Sequence, residues 1–138
     1  MGKGKAKRRQ SLGEILASVS DTLFPEQLGA APVSVNSRDV DGDTPLHVLV
    51  RRGDRYGVRL LLENGADPNA VGDMGETPLH VAVSGGDVEI VGRLLEFGAD
   101  ASVRCEFGDT PTERSAQSHS AVSSAMALAN KQAGRADK

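Results

Sequence analysis

Apolar residues recur through the middle of the chain in short bursts, each followed by a break rich in Gly, Asp and Asn. The segment PLHVLVRR after Thr44 reads as a short helix. Thr44 suits an N-cap, and Pro45 suits the first helical position, where its missing N–H has no helical bond to lose. After a turn at Gly53-Asp54, a second helix over about 55–64 carries Val58, Leu61 and Leu62. That i, i+3, i+4 stripe marks one buried face, and Gly65 supplies the left-handed residue that stops the helix. The pattern restarts with PLHVAVS after Thr77, a turn at Gly85-Gly86-Asp87, and VEIVGRLLEF ending at Gly98. The intervening ADPNAVGDMGE and ADASVRCEFGD have the composition of projecting, hairpin-like turns. Upstream, Ser11 and Glu14 have capping-box spacing. Leu12, Ile15, Leu16, Val19 and Leu23 share one face, which predicts a helix over about 11–23. Pro25, Gly29 and Pro32 predict an irregular connector to Asn36.

The restart has a fixed interval. Thr44, Thr77 and Thr110 are spaced by 33, as are Pro45, Pro78 and Pro111, and Gly42, Gly75 and Gly108. The same offset relates His47 to His80, Gly65-Ala66-Asp67 to Gly98-Ala99-Asp100, and Asn36 to Asn69. With GDTPLH and GETPLH, this resembles the ankyrin repeat, whose period and T-P-L-H-x-A signature it matches over 39–69 and 72–102. The resemblance implies an all-α solenoid of stacked helix-turn-helix units with projecting β-hairpin-like loops. The expected organisation is a basic disordered tail (1–9), an N-terminal capping helix and connector (10–36), and the repeat domain (37–130). The repeat domain divides into 37–69, 70–102 and a degenerate capping unit at 103–130, followed by a disordered tail (131–138). Two departures stand out. Leu49 replaces the usual small residue, found as Ala82 in the second copy, so the first helix pair is expected to sit further apart. In the third copy Thr112 and Glu113 take the leucine and histidine places, and Ala116, Val122, Ala125, Met126 and Leu128 make only a weak apolar stripe.

Charge adds an asymmetry hidden by the net −3. Residues 39–111 hold six Lys/Arg against fourteen Asp/Glu, so the middle carries −8, between ends that are both net basic. An acidic middle argues against wrapping nucleic acid over the main surface. The single cysteine, Cys105, cannot close an internal disulfide, and no run approaches the ~18 apolar residues of a membrane span. A cytoplasmic, monomeric protein is expected.

Little in the sequence points to catalysis. His47 and His80 stand one layer apart, and no Cys or third His is expected to join them in the convergent set zinc requires. The resemblance gives these histidines a structural task, tethering their own Thr and the neighbouring backbone, and makes Thr44, Pro45, Gly65, Thr77, Pro78 and Gly98 scaffold. The acidic run at 39–43 lacks the glycine and glutamate placement of a calcium loop. Cys105, at a loop tip, has no His/Asn partner pattern, and no phosphate-cradling or nucleophile-elbow motif occurs. No enzyme activity, metal or cofactor is expected.

The resemblance implies a module that binds another protein. Its variable surface positions fall here on Val40, Asp41, Asp43, Arg51 and Arg52 in the first copy. They fall on Asp73, Met74, Glu76 and Ser84 in the second, and on Glu106, Phe107, Asp109 and Gln117 in the third. Acidic tips around exposed Met74 and Phe107 suit a partner with a basic surface. An adaptor or scaffold is the leading reading. A small inhibitor, such as an immunity or antitoxin protein masking a basic-surfaced enzyme, is the second. Association of the basic N-terminus with nucleic acid or anionic membrane is the third and least favoured.

Overall fold

The computed structural model describes residues 10–23, 33–117 and 122–128. The expected connector residues Pro25, Gly29 and Pro32, and both expected tails, lie outside them. The helices are α1 (Leu12–Leu23), α2 (Pro45–Arg52), α3 (Arg55–Glu63), α4 (Pro78–Gly85), α5 (Val88–Glu96) and α6 (Pro111–Ala116). A 3-10 turn spans Asp73–Gly75, and helical backbone returns at 122–128. No strand is present among the described residues.

Two layers result. The first helices α2, α4 and α6 pack in a row, α3 and α5 pack behind them, and α1 covers α2 and α3. The joints are built identically. Asp54 and Asp87 cap the second helix of each pair, and Gly53 (φ 74°) and Gly86 (φ 75°) end the first in the left-handed conformation that costs glycine little. Asn36 donates to Gly65 O and accepts from Asp67 N, and Asn69 repeats both bonds with Gly98 and Asp100. The α1 capping box is formed, Ser11 N to Glu14 Oε1 at 2.8 Å and Glu14 N to Ser11 Oγ at 3.2 Å.

The expected widening of the first helix pair is not needed. Leu49 is fully buried, and a Cβ built on Gly57 would lie 2.9 Å from its Cδ1. One period later the pair is Ala82 and Ile90, so large and small have changed sides and the packed volume is conserved. In the last unit Val122 and Met126 are buried, but Ala116 and Leu128 are exposed and Ala125 is only partly covered. The apolar stripe expected there is therefore shorter. α6 instead buries Pro111 and Ser115, whose hydroxyl donates to Thr112 O.

Candidate functional site

Three loops project beyond the N-termini of α2, α4 and α6. Each is closed by the same pair of backbone bonds: Asp39 N to Asp43 O with Gly42 N to Asp39 O, then 72 to 76 with 75 to 72, then 105 to 109 with 108 to 105. These are the expected hairpin-like tips.

The histidines bind each tip to the unit before it. Thr44 N donates to His47 Nδ1 at 3.1 Å. A backbone N–H can only donate, so Nδ1 accepts and the ring proton lies on Nε2, which donates to Glu76 O at 2.9 Å. Thr77, His80 and Asp109 O repeat this arrangement at 3.1 and 3.0 Å. Both rings are completely buried, and burial pushes the pKa of His47 down, keeping it neutral. In the third unit Glu113 keeps the reciprocal cap with Thr110 and turns its carboxylate to Arg104 of its own loop. Thr110 N and Arg104 together hold the Glu113 carboxyl below its ordinary value.

The residues proposed from sequence for a partner divide into three groups. Val40, Met74 and Phe107 are 99%, 49% and 68% exposed, and Asp41, Asp73 and Glu106 stand exposed beside them. Asp73 first, then partial desolvation, Asp39 and Asp43, push the Asp41 carboxyl up. Met74 holds φ 59°, the only left-handed non-glycine residue among those described. That conformation aims its carbonyl at the next tip, where Glu106 N donates to it at 2.9 Å.

A second group points inward, which corrects the expectation that Asp43, Glu76 and Asp109 are open surface positions. Asp43 is buried; its Oδ1 accepts from Asp73 N at 2.9 Å, and Arg51 lies 3.5 Å from its Oδ2. Glu76 and Asp109, one and two periods later, are partly covered and each stand 3.0 Å from Arg114. Arg114 also donates to Ser84 Oγ at 3.0 Å and to His80 O at 3.4 Å. Asp43, Arg51, Glu76, Arg114 and Asp109 thus form a ladder of alternating charge along the inner wall. Arg114 first, then the Cys105 thiol, lower the Asp109 carboxyl to about 2.

The remaining two residues belong elsewhere. Arg52 donates to Ser18 O and Thr22 Oγ1 and clamps α1 onto α2. Gln117 is exposed and caps the end of α6.

Cys105 is buried rather than at an open tip: it opens the 105–109 turn, and its equivalent one period earlier, Gly72, is buried too. It joins His80 and Asp109 with ligand atoms all within 4.8 Å, so a cysteine does converge on one of the histidines, contrary to the expectation. The surroundings do not suit a cation. His80 Nε2 carries its proton toward Asp109 O, the thiol donates to Asp109 Oδ1 at 2.9 Å, and the Arg114 guanidinium occupies the carboxylate. Ligation by Nε2 would move the ring proton to Nδ1, against the N–H of Thr77.

Arg114 was the main omission from the sequence reading. Its signal is indirect: the residue before each Thr-Pro is acidic, at 43, 76 and 109, and a column of acids this close together needs cations. Arg38 and Arg104, two periods apart, were also passed over. Each grips the carbonyl of the fourth residue on, Gly42 and Gly108.

Stacked helix pairs, capped loops and a column of neutral histidine fasteners define an α-solenoid of interaction-type repeats. The family model for ankyrin repeats (3 copies) matches residues 58–134, and that for the single ankyrin repeat matches 41–73. The chain belongs to the ankyrin repeat family. No curated protein matches it significantly. Ankyrin repeats generally mediate protein–protein interaction. Among the described residues, no helix is long and apolar enough to cross a membrane.

Proposed function

We propose that this chain is a non-enzymatic, monomeric cytoplasmic adaptor that binds one partner protein through its loop tips and the adjoining inner wall. The observation that carries the reading is the exposed pair Met74 and Phe107 on adjacent tips joined by a backbone hydrogen bond. Exposed apolar side chains gathered on one face mark interaction surfaces in soluble proteins. Left-handed backbone at a non-glycine residue is retained where the surroundings enforce it, commonly at functional sites. The exposed Asp41, Asp73 and Glu106 suit a partner with a basic surface, contributing association rate and register more than affinity.

Cross-linking of cell extract to the wild type and to a Met74→Asn/Phe107→Ser variant, compared by mass spectrometry, tests this. The expected result is a partner captured by the wild type, lost from the variant, and captured less efficiently as salt is raised. Equal capture by both proteins would remove the tips from the interface.

A further inference from the structure

A groove of about 320 Å³ lies between α2 and α4, lined by Val50, Arg51, Glu76, Val81, Ser84 and Gly85. Val50 and Val81 are its apolar lining, beside the polar Arg51, Glu76 and Ser84. Val81 is only partly buried, whereas its counterpart one period earlier, Val48, is 3% exposed. Gly85 lines the groove without a side chain, and nothing in the fold asks for glycine there. Its backbone is ordinary helix, and a Cβ added to it would meet no atom within 4 Å. The equivalent position in α2 carries Arg52, so the backbone accepts a large side chain. Glycine weakens a helix relative to alanine. What it leaves is open space in the wall that it shares with Val50 and Val81.

The charge around this space is unbalanced. The three loops hold seven acids, Asp39, Asp41, Asp43, Asp73, Glu76, Glu106 and Asp109, and the arginines that face them, at 38, 51, 104 and 114, number only four, one of them shared with Glu113. The arginines are already engaged, with Asp43, Glu113, Glu76 and Asp109, or with loop carbonyls. The surplus acids Asp41, Asp73 and Glu106 stand exposed beyond Glu76.

Building on the protein-binding reading above, we infer that the groove seats one large aliphatic or aromatic side chain of a partner segment whose adjacent Lys or Arg residues meet Asp73 and Glu106. Contact with Val50 and Val81 removes the side chain from water, and the cations neutralise the surplus charge.

Selection of random peptides displayed against the full chain supplies the probe, followed by fluorescence anisotropy of the synthesised winners. The winners should carry a large apolar residue next to Lys or Arg. Gly85→Leu should fill the groove and weaken binding about tenfold or more, with an unfolding temperature at or above that of the wild type. Gly92→Leu, in α5 where an added Cβ also meets nothing, should leave binding unchanged. Asp73→Asn/Glu106→Gln should weaken binding and flatten its salt dependence. Winners that lack basic residues, or that bind Gly85→Leu as tightly as the wild type, would overturn the proposal. Binding lost with Met74→Asn yet indifferent to Gly85→Leu would leave the tips as the interface and refute the groove. Failure to enrich any peptide would count against both readings.

Discussion

At the scale of single residues, the two histidines show how a reactive side chain becomes scaffold. His47 is neutral because its ring is buried, with Nδ1 committed to Thr44 and Nε2 to Glu76 O. Its pKa in the fold lies below the ordinary value of 6.5. Above that value the ring is neutral in both folded and unfolded chains, and stability does not depend on it. As pH falls through 6.5, the unfolded chain takes up a proton that the fold refuses, so stability declines, levelling off below the folded pKa. Urea unfolding at pH 7.5 and 5.5 should show lower stability at the lower pH, part of it from this residue. In His47→Gln that part of the pH dependence should disappear from a lower starting stability; an unchanged pH dependence would place the cause elsewhere.

Met74 presents the opposite case, a residue unfavourable to its own backbone. A left-handed L-residue costs about 1–2 kcal/mol, and Asn tolerates the conformation better than Met. Met74→Asn should therefore raise folding stability by up to about 1 kcal/mol while abolishing partner capture. A variant that is less stable would show that the Met side chain has a structural role. Exposure at this site was legible from the repeat alone, since the loop tip carries no helical packing. The inward turn of Asp43 was not. It depends on a bond to the backbone of Asp73, a residue thirty positions on that only the stacking brings near.

At the scale of elements, the helix pairs keep their packed volume constant while exchanging its parts. Leu49 with Gly57 in α2 and α3 becomes Ala82 with Ile90 in α4 and α5. The sequence shows each residue, but the compensation appears only when the facing positions are known. Leu49→Ala should cost about 3 kcal/mol by leaving a cavity, and Gly57→Ile about 1–3 kcal/mol by overpacking. The double variant reproduces the second repeat's solution. It should recover at least about 1 kcal/mol relative to the sum of the two changes, measured by denaturant unfolding; strict additivity would show that the two positions do not share the space.

The joint between α4 and α6 rests on a different chemistry. Arg114 holds Glu76, Asp109, Ser84 and His80 O together from the side of the last unit. Because the Asp109 pKa is lowered to about 2, its contribution is present above its ordinary 3.8 and is lost as pH falls toward 2. Asp109→Asn should lower stability at neutral pH and flatten the acid limb of the unfolding curve between those values. Its backbone carbonyl, and hence the His80 fastener, stays intact. An acid limb as steep as that of the wild type would contradict the assignment.

Across the whole molecule, stability is expected to follow burial unit by unit, as in any stack whose layers touch only their neighbours. α4 buries Pro78, Leu79, His80, Ala82 and Val83, whereas the six-residue α6 buries only Pro111 and Ser115. The third loop does not share that weakness. His80 holds Asp109 O, Met74 O holds Glu106 N, and Cys105 N is bonded within the loop, so its anchors lie in the second unit. The tips proposed to face a partner can stay ordered while the helix behind the last of them opens. Native-state hydrogen exchange separates the two regions. Amides of Cys105 and Glu106 should exchange with the protection of α4, and those of Arg114 and Gln117 markedly faster. If Cys105 and Glu106 instead exchanged with α6, the loop and its helix would open as one unit, and the Met74 and Phe107 platform would be no more rigid than the end of the stack.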